Sequence, residues 1–104
     1  METGRRLQRI EKEIRHLVSI FMLTSGQGRV PGVVSVAEVS VSGDLRQAKV
    51  YLSFLGDEEQ RSEFLDHLEG LRFEAQSMVA RSLRMKFSPK LKFFVSQGLN
   101  IGIS

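Results

Sequence analysis

The sequence predicts an α+β fold in one domain, with elements in the order α-β-β-α-α-β and helices packed on one face of a three-stranded sheet. Two observations carry most of that prediction. Helical spacing of apolar residues alternates with short β-branched runs of period two. The stretch AKVYLSFLGDEEQ, Ala48 to Gln60, sets a strand directly against a helix start. A third is size: 104 residues is one domain, 41% hydrophobic and 26% charged, enough to bury a modest core. The domain is taken as residues 1–104, with an ordered core from about 5 to 95.

The first helix is read from Arg5 to Met22. Leu7, Ile10, Ile14, Leu17, Val18 and Phe21 fill one face at 3.6-residue spacing. Arg5, Arg9, Lys12 and His16 recur on the opposite face, with Glu11 and Glu13 as partial neutralisers. Leu23 to Gly32 (LTSGQGRVPG) is expected to be a loop and the best site for a mobile segment, and it carries Arg29.

Val33 to Val41 is strand-like, Ser42-Gly43-Asp44 signals a turn, and Gln47 to Leu55 is the second strand. So short a connection predicts an antiparallel pair. In the second strand Ala48, Val50, Leu52 and Phe54 share one face, leaving Lys49 and Tyr51 on the other. Asp57 is positioned to cap the next helix, with Gln60 three residues on as a capping box requires. Apolar residues from Phe64 to Leu83 keep a helical rhythm as far as about Lys86. That length suggests two helices or one kinked helix, with the bend near Gly70 to Glu74. Ser88-Pro89 ends the segment. Lys90 to Val95 is a short third strand, which a right-handed crossover returns to the same sheet.

The chain has no cysteine, so disulfides and thiolate metal sites are excluded. No apolar run is long enough to span a membrane, and charges running through METGRRLQRIEKEIRHL do not fit a signal peptide. A cytoplasmic location is expected. His16 and His67 lack partners at metal-ligand spacing and are read as solvated surface. No nucleotide-binding glycine motif occurs, and the acids after Asp57 suit a helix N-terminus better than a catalytic pair. No enzyme activity, cofactor, metal or small-molecule substrate is expected.

The net charge is +3 with a pI near 9.7, and the charges are sorted. Asp57 to Glu74 is acidic, whereas Arg81, Arg84, Lys86, Lys90 and Lys92 form a run with no acid. A helix C-terminus gives Arg84 and Lys86 a structural role through the macrodipole, but not Lys90 and Lys92. Phosphate contacts account for all five. Tyr51 and Phe94 are the aromatics expected to face out of the core, where a base could stack; packing on the sheet is the plainer reading for Phe94. An RNA-binding module and a basic protein-interaction domain both fit at this point.

The α-β-β-α-α-β order is that of the type II KH fold, an RNA-binding architecture, yet the GxxG loop of that fold is absent. The sequence resembles the ribosome-binding factor A family, which is KH-like and lacks GxxG. GRRLQRI, Gly4 to Ile10, is similar to the family's basic helix start. VSVSGDLRQAKVYLSFL, Val39 to Leu55, is similar to its hairpin motif, and SPKLKFF, Ser88 to Phe94, to its third-strand motif. There are departures: Gly70-Leu71-Arg72-Phe73 stands where the family has Ala-x-Gly, Ser96 stands where an acid is frequent, and the chain stops at Ser104 without an extension. The resemblance implies a non-catalytic factor that binds the 30S ribosomal subunit, assists late maturation of the small subunit and processing of the 16S rRNA 5′ end, and is linked to growth in the cold. The expected partners are the 30S subunit and 16S rRNA, with the factor itself a monomer. The residues expected to contact RNA are Arg5, Arg6, Arg9, Lys12, Lys49, Tyr51, Arg81, Arg84, Lys86, Lys90 and Lys92. A generic KH-like single-stranded RNA module and a protein-interaction domain are the alternatives.

Overall fold

The computed structural model describes residues 2–26 and 32–96. Helix α1 (Glu2–Phe21) leads into a short π-helical turn (Met22–Gly26). Strands β1 (Val33–Val41) and β2 (Gln47–Leu55) form a hairpin, helix α2 runs from Glu58 to Leu83, and β3 spans Lys90–Ser96. The sheet order is β1-β2-β3. β1 and β2 are antiparallel, and β3 lies parallel to β2 at the edge. Both helices lie against the same side of the sheet, as expected.

The core lies between that side and the helices. Ile14 and Val18 of α1, Ala48, Val50, Leu52 and Phe54 of β2, Phe64, Leu71, Ala75 and Val79 of α2, and Leu91 of β3 are buried. The Phe54 and Phe64 rings stack 5.0 Å apart and 16° from parallel, tying β2 to the first turns of α2. Gly32 sits at φ +91°, and a Cβ there would lie 2.4 Å from the Phe54 ring, so the start of β1 needs glycine twice over.

Strict alternation would put Val34 and Val36 on one face of β1 and Val39 and Val41 on the other. A bulge between Val36 and Glu38 resolves the conflict. One extra residue, Ala37, resets the phase, so Val36, Val39 and Val41 are all buried. Glu11 turns inward from α1, and its carboxylate accepts from the Val41 N–H at 2.9 Å. Its role is therefore to hold the helix to the sheet.

Three expectations require correction. The segment after Met22 begins as a π-helical turn in which the Thr24 hydroxyl donates to the Ile20 carbonyl at 2.8 Å, so Leu23 to Gly26 is not loop. Arg29 and the expected mobile segment around it lie outside the described residues, except for the ends at Leu23–Gly26 and Gly32. The second correction concerns α2, which is one continuous helix of 26 residues in place of two. Phe64, Leu68, Leu71, Ala75 and Val79 make one unbroken stripe across Gly70, so packing never requires a change of direction. Nothing lies within 4 Å of a Cβ added at Gly70, so no neighbour presses the chain to bend there. At 1.5 Å per residue the helix is about 39 Å long. That fits the 44 Å long axis of the molecule.

The capping box forms as expected. The Gln60 N–H donates to Asp57 Oδ1 at 2.8 Å, and the Asp57 N–H donates back to Gln60 Oε1 at 2.9 Å. The third correction is the C-terminus of α2, which comes earlier than the proline predicts. Arg84 adopts the left-handed conformation (φ 54°, ψ 34°) and stops α2 at Leu83. Along the outer edge of β3, Gln76 of α2 replaces a strand partner. Its amide donates to the Pro89 carbonyl at 2.9 Å and accepts from the Leu91 N–H at 2.7 Å. At the other end Arg61 donates to the Ser96 carbonyl at 3.0 Å.

Candidate RNA-binding surface

The hairpin turn, the end of α2 and the start of both α1 and β3 meet at one end of the molecule. The turn is built by its own side chains. The Ser42 hydroxyl donates to Asp44 at 2.7 Å and accepts from the Gln47 N–H at 3.0 Å, and Asp44 also accepts from the Arg46 N–H. The Ser42 hydroxyl, then the Arg46 N–H, hold the Asp44 carboxyl below the usual carboxylate range. The Lys90 N–H donates to the Arg46 carbonyl at 2.8 Å, joining the turn to β3.

These elements enclose an open groove of about 780 Å³ lined by Arg6, Asp44, Leu45, Arg46, Arg84, Met85, Lys86, Phe87 and Ser88. Four cations from three separate regions therefore surround one carboxylate. Asp44 lies at 4.0 Å from Arg46, a solvated contact of little strength. Phe87 is 76% exposed, with the Lys86 ammonium 5.8 Å from its ring centroid. An exposed aromatic among cations suits a base beside its phosphates. The only two non-glycine residues at positive φ among the described residues are Leu45 (63°) and Arg84 (54°), and both line this groove. Leu45 packs against the core. Arg84 is exposed, so core packing does not explain why a glycine is not used there.

The second surface is the open face of the sheet. Register pairs Lys49 with Lys92 and Tyr51 with Phe94 on β2 and β3, with Lys90 beside Gln47 nearer the groove. Tyr51 and Phe94 have ring centroids 5.3 Å apart and planes 23° from parallel. On β1 the same face carries Ser40 beside Lys49 and Glu38 beside Tyr51.

The eleven residues expected from sequence are all exposed, but they do not form one cluster. Arg6, Arg84 and Lys86 line the groove. Lys49, Tyr51, Lys90 and Lys92 belong to the sheet face. Arg5, Arg9 and Lys12 are on the outside of α1. Arg81 lines a separate cleft with Phe21, Phe73, Glu74, Ser77 and Met78. The basic run from Arg81 to Lys92 is thus divided among three places. Sequence reasoning missed Arg46 and Phe87. Arg46 was hidden in turn chemistry, whereas Phe87, an aromatic inside a basic run, was a usable signal. Among the acidic residues of α2, Glu69 is held below the usual carboxylate range mainly by its hydrogen bond from Arg72, 2.6 Å away, and this pairing occupies Arg72.

No described helix is long and apolar enough to cross a membrane, and no described group of three or more carboxylates or histidines could hold a metal. Fold and surface define a class: a small α+β domain, helix, two strands, long helix and strand on a three-stranded mixed sheet, with a basic, aromatic-bearing end and sheet face. A family model for ribosome-binding factor A matches residues 6–102, and the chain belongs to that family. A ribosome-binding factor A from Bdellovibrio bacteriovorus is 43% identical over 95 residues, covering 91% of this chain and 71% of its own length. The solution structure of a Thermotoga maritima protein assigned to the same family superposes with a TM-score of 0.67 at 30% identity, covering 95% of this chain and 94% of that one. A homology model of the Thermus thermophilus ribosome-binding factor A, as fitted into a cryo-electron-microscopy map of a 30S complex, gives a TM-score of 0.66 at 22% identity, covering 83% of this chain and 90% of that one, and so shares the fold.

Proposed function

We propose that this protein is a non-catalytic assembly factor that binds the 30S ribosomal subunit in the cytoplasm. There it assists late maturation of the subunit, including processing of the 16S rRNA 5′ end. The observation that carries the reading is the groove, where Arg6, Arg46, Arg84 and Lys86 converge on an exposed Phe87 in a member of the ribosome-binding factor A family. The Thermus relative's place in a 30S complex supports the same partner.

Function is by binding. Groove cations take phosphates, and Arg5, Arg9 and Lys12 on α1 extend the positive surface beyond Arg6. Lys49, Tyr51, Lys90 and Lys92 add a second contact area, and Arg81 a third. Phosphate contacts position the protein without reading sequence, so selectivity for an immature subunit comes from the shape of the rRNA that reaches several of these places together. The acidic outer face of α2 turns away from RNA, because like charge repels.

Co-sedimentation of the purified protein with 30S particles, 50S particles and naked RNA across a salt series tests the proposal. Selective migration with 30S particles, lost steeply as salt rises, is expected. Equal association with every RNA would support a generic RNA module, and association indifferent to salt would support a protein-interaction domain.

A further inference from the structure

The open sheet face has a chemistry of its own. No described carboxylate forms a salt bridge with Lys49 or Lys92, whereas Lys90 lies within the field of the Glu69 carboxylate on α2. Lys49 and Lys92 are nevertheless register neighbours on adjacent strands. Like charges side by side are unfavourable, and a polyanion laid across them relieves that cost. One row further along the strands, Tyr51 and Phe94 form a joint aromatic surface, 37% and 43% exposed, on a face that no helix covers. Rows on one face of a strand are about 6.6 Å apart. A row of cations beside a row of aromatic rings matches the alternation of phosphate and base along one nucleic-acid strand. A duplex keeps its base faces stacked internally and cannot use the rings.

We propose that this face binds single-stranded RNA, with unpaired bases on the Tyr51–Phe94 surface and the backbone on Lys49, Lys90 and Lys92. The proposal rests on the RNA-binding reading above and sharpens it. The groove holds phosphates in either strand state, whereas the sheet face admits only unpaired RNA. A factor built this way binds preferentially where rRNA has not yet closed into helix.

The chain has one tyrosine and no tryptophan, so intrinsic emission reports Tyr51 alone. The full chain is titrated with an eight-nucleotide single-stranded RNA and with the same sequence in a duplex, using a free tyrosine derivative to correct for light absorbed by RNA. Binding is followed in parallel by anisotropy of labelled RNA. Quenching of Tyr51 by the single strand but not by the duplex is expected. Phe94→Ala should weaken single-strand affinity about tenfold. Tyr51→Phe keeps the ring and should retain single-strand affinity, read by anisotropy because the variant has no tyrosine emission to quench. Anisotropy that saturates with Tyr51 emission unchanged, or equal quenching by duplex, would overturn the sheet-face proposal and leave the RNA-binding reading intact. Absence of any RNA association in both this titration and the sedimentation experiment would overturn both.

Discussion

Replacing Arg84 by glycine should make this protein more stable and a poorer RNA binder. Arg84 ends α2 at φ 54°, ψ 34°, where a Cβ crowds the backbone. The left-handed conformation costs a non-glycine residue ~1–2 kcal/mol. Glycine removes that cost but adds unfolded-state freedom worth ~0.4–1 kcal/mol. The net gain is about 0.5–1 kcal/mol, a rise in Tm of roughly 2–8 °C for a domain of this size. The same change deletes one groove cation. Loss of a charge-assisted phosphate contact worth about 1 kcal/mol lowers affinity roughly fivefold. Thermal melts by circular dichroism and binding to 30S particles at fixed salt measure the two effects on one variant. A lowered Tm would show that the arginine side chain supports the fold, and a raised Tm with unchanged affinity would remove Arg84 from the binding surface.

Gly70→Ala should raise stability by about 1 kcal/mol in a chemical-denaturation curve, because α2 is continuous there and the space is open. Destabilisation would point to a break at that residue. Phe64→Ala empties a buried site against Phe54 and should cost ~3–5 kcal/mol, a large share of a domain's stability, as read from the urea midpoint. Glu11→Ala leaves the Val41 N–H without its acceptor and should cost ~1–3 kcal/mol in the same assay, with Glu11→Gln recovering part of the loss. Asp44 and Glu69 both titrate below the usual carboxylate range in the folded chain. Their contribution to folding is therefore complete above ordinary carboxylate values and is lost as pH falls through the lowered folded values. Carboxyl carbon shifts followed by NMR should show both midpoints displaced downward.

The elements were legible where side-chain period and burial agree. β2 alternates without exception from Ala48 to Phe54, so its free residues, Lys49 and Tyr51, could be read directly. In β1 the alternation is broken by the bulge at Ala37, whose effect appears only when Val36, Val39 and Val41 must share a core. α2 was harder because Gly70 and sheer length argued for a break. The stripe from Phe64 through Leu71 to Val79 carries the contrary information, but it becomes decisive only against a sheet edge long enough to receive it. The site was half legible. Composition showed the basic residues between Arg81 and Lys92, but their division among groove, sheet face and a separate cleft depends on where α2 stops. Arg84 stops it through a backbone conformation that sequence gives little reason to assign to arginine. Pairing of Lys49 with Lys92 and of Tyr51 with Phe94 depends on the register of a parallel strand reached after a 26-residue helix, a nonlocal property.

The most direct test of the central claim is the salt dependence of binding to 30S particles for the wild type and for a variant in which Arg6, Arg84 and Lys86 are all alanine. If these three side chains neutralise phosphates, each contributes ~0.7–0.9 to the slope of log K against log salt, so the variant's slope should be shallower by about 2–3. A folded variant with the wild-type slope would contradict the account, because the groove would then hold no phosphate.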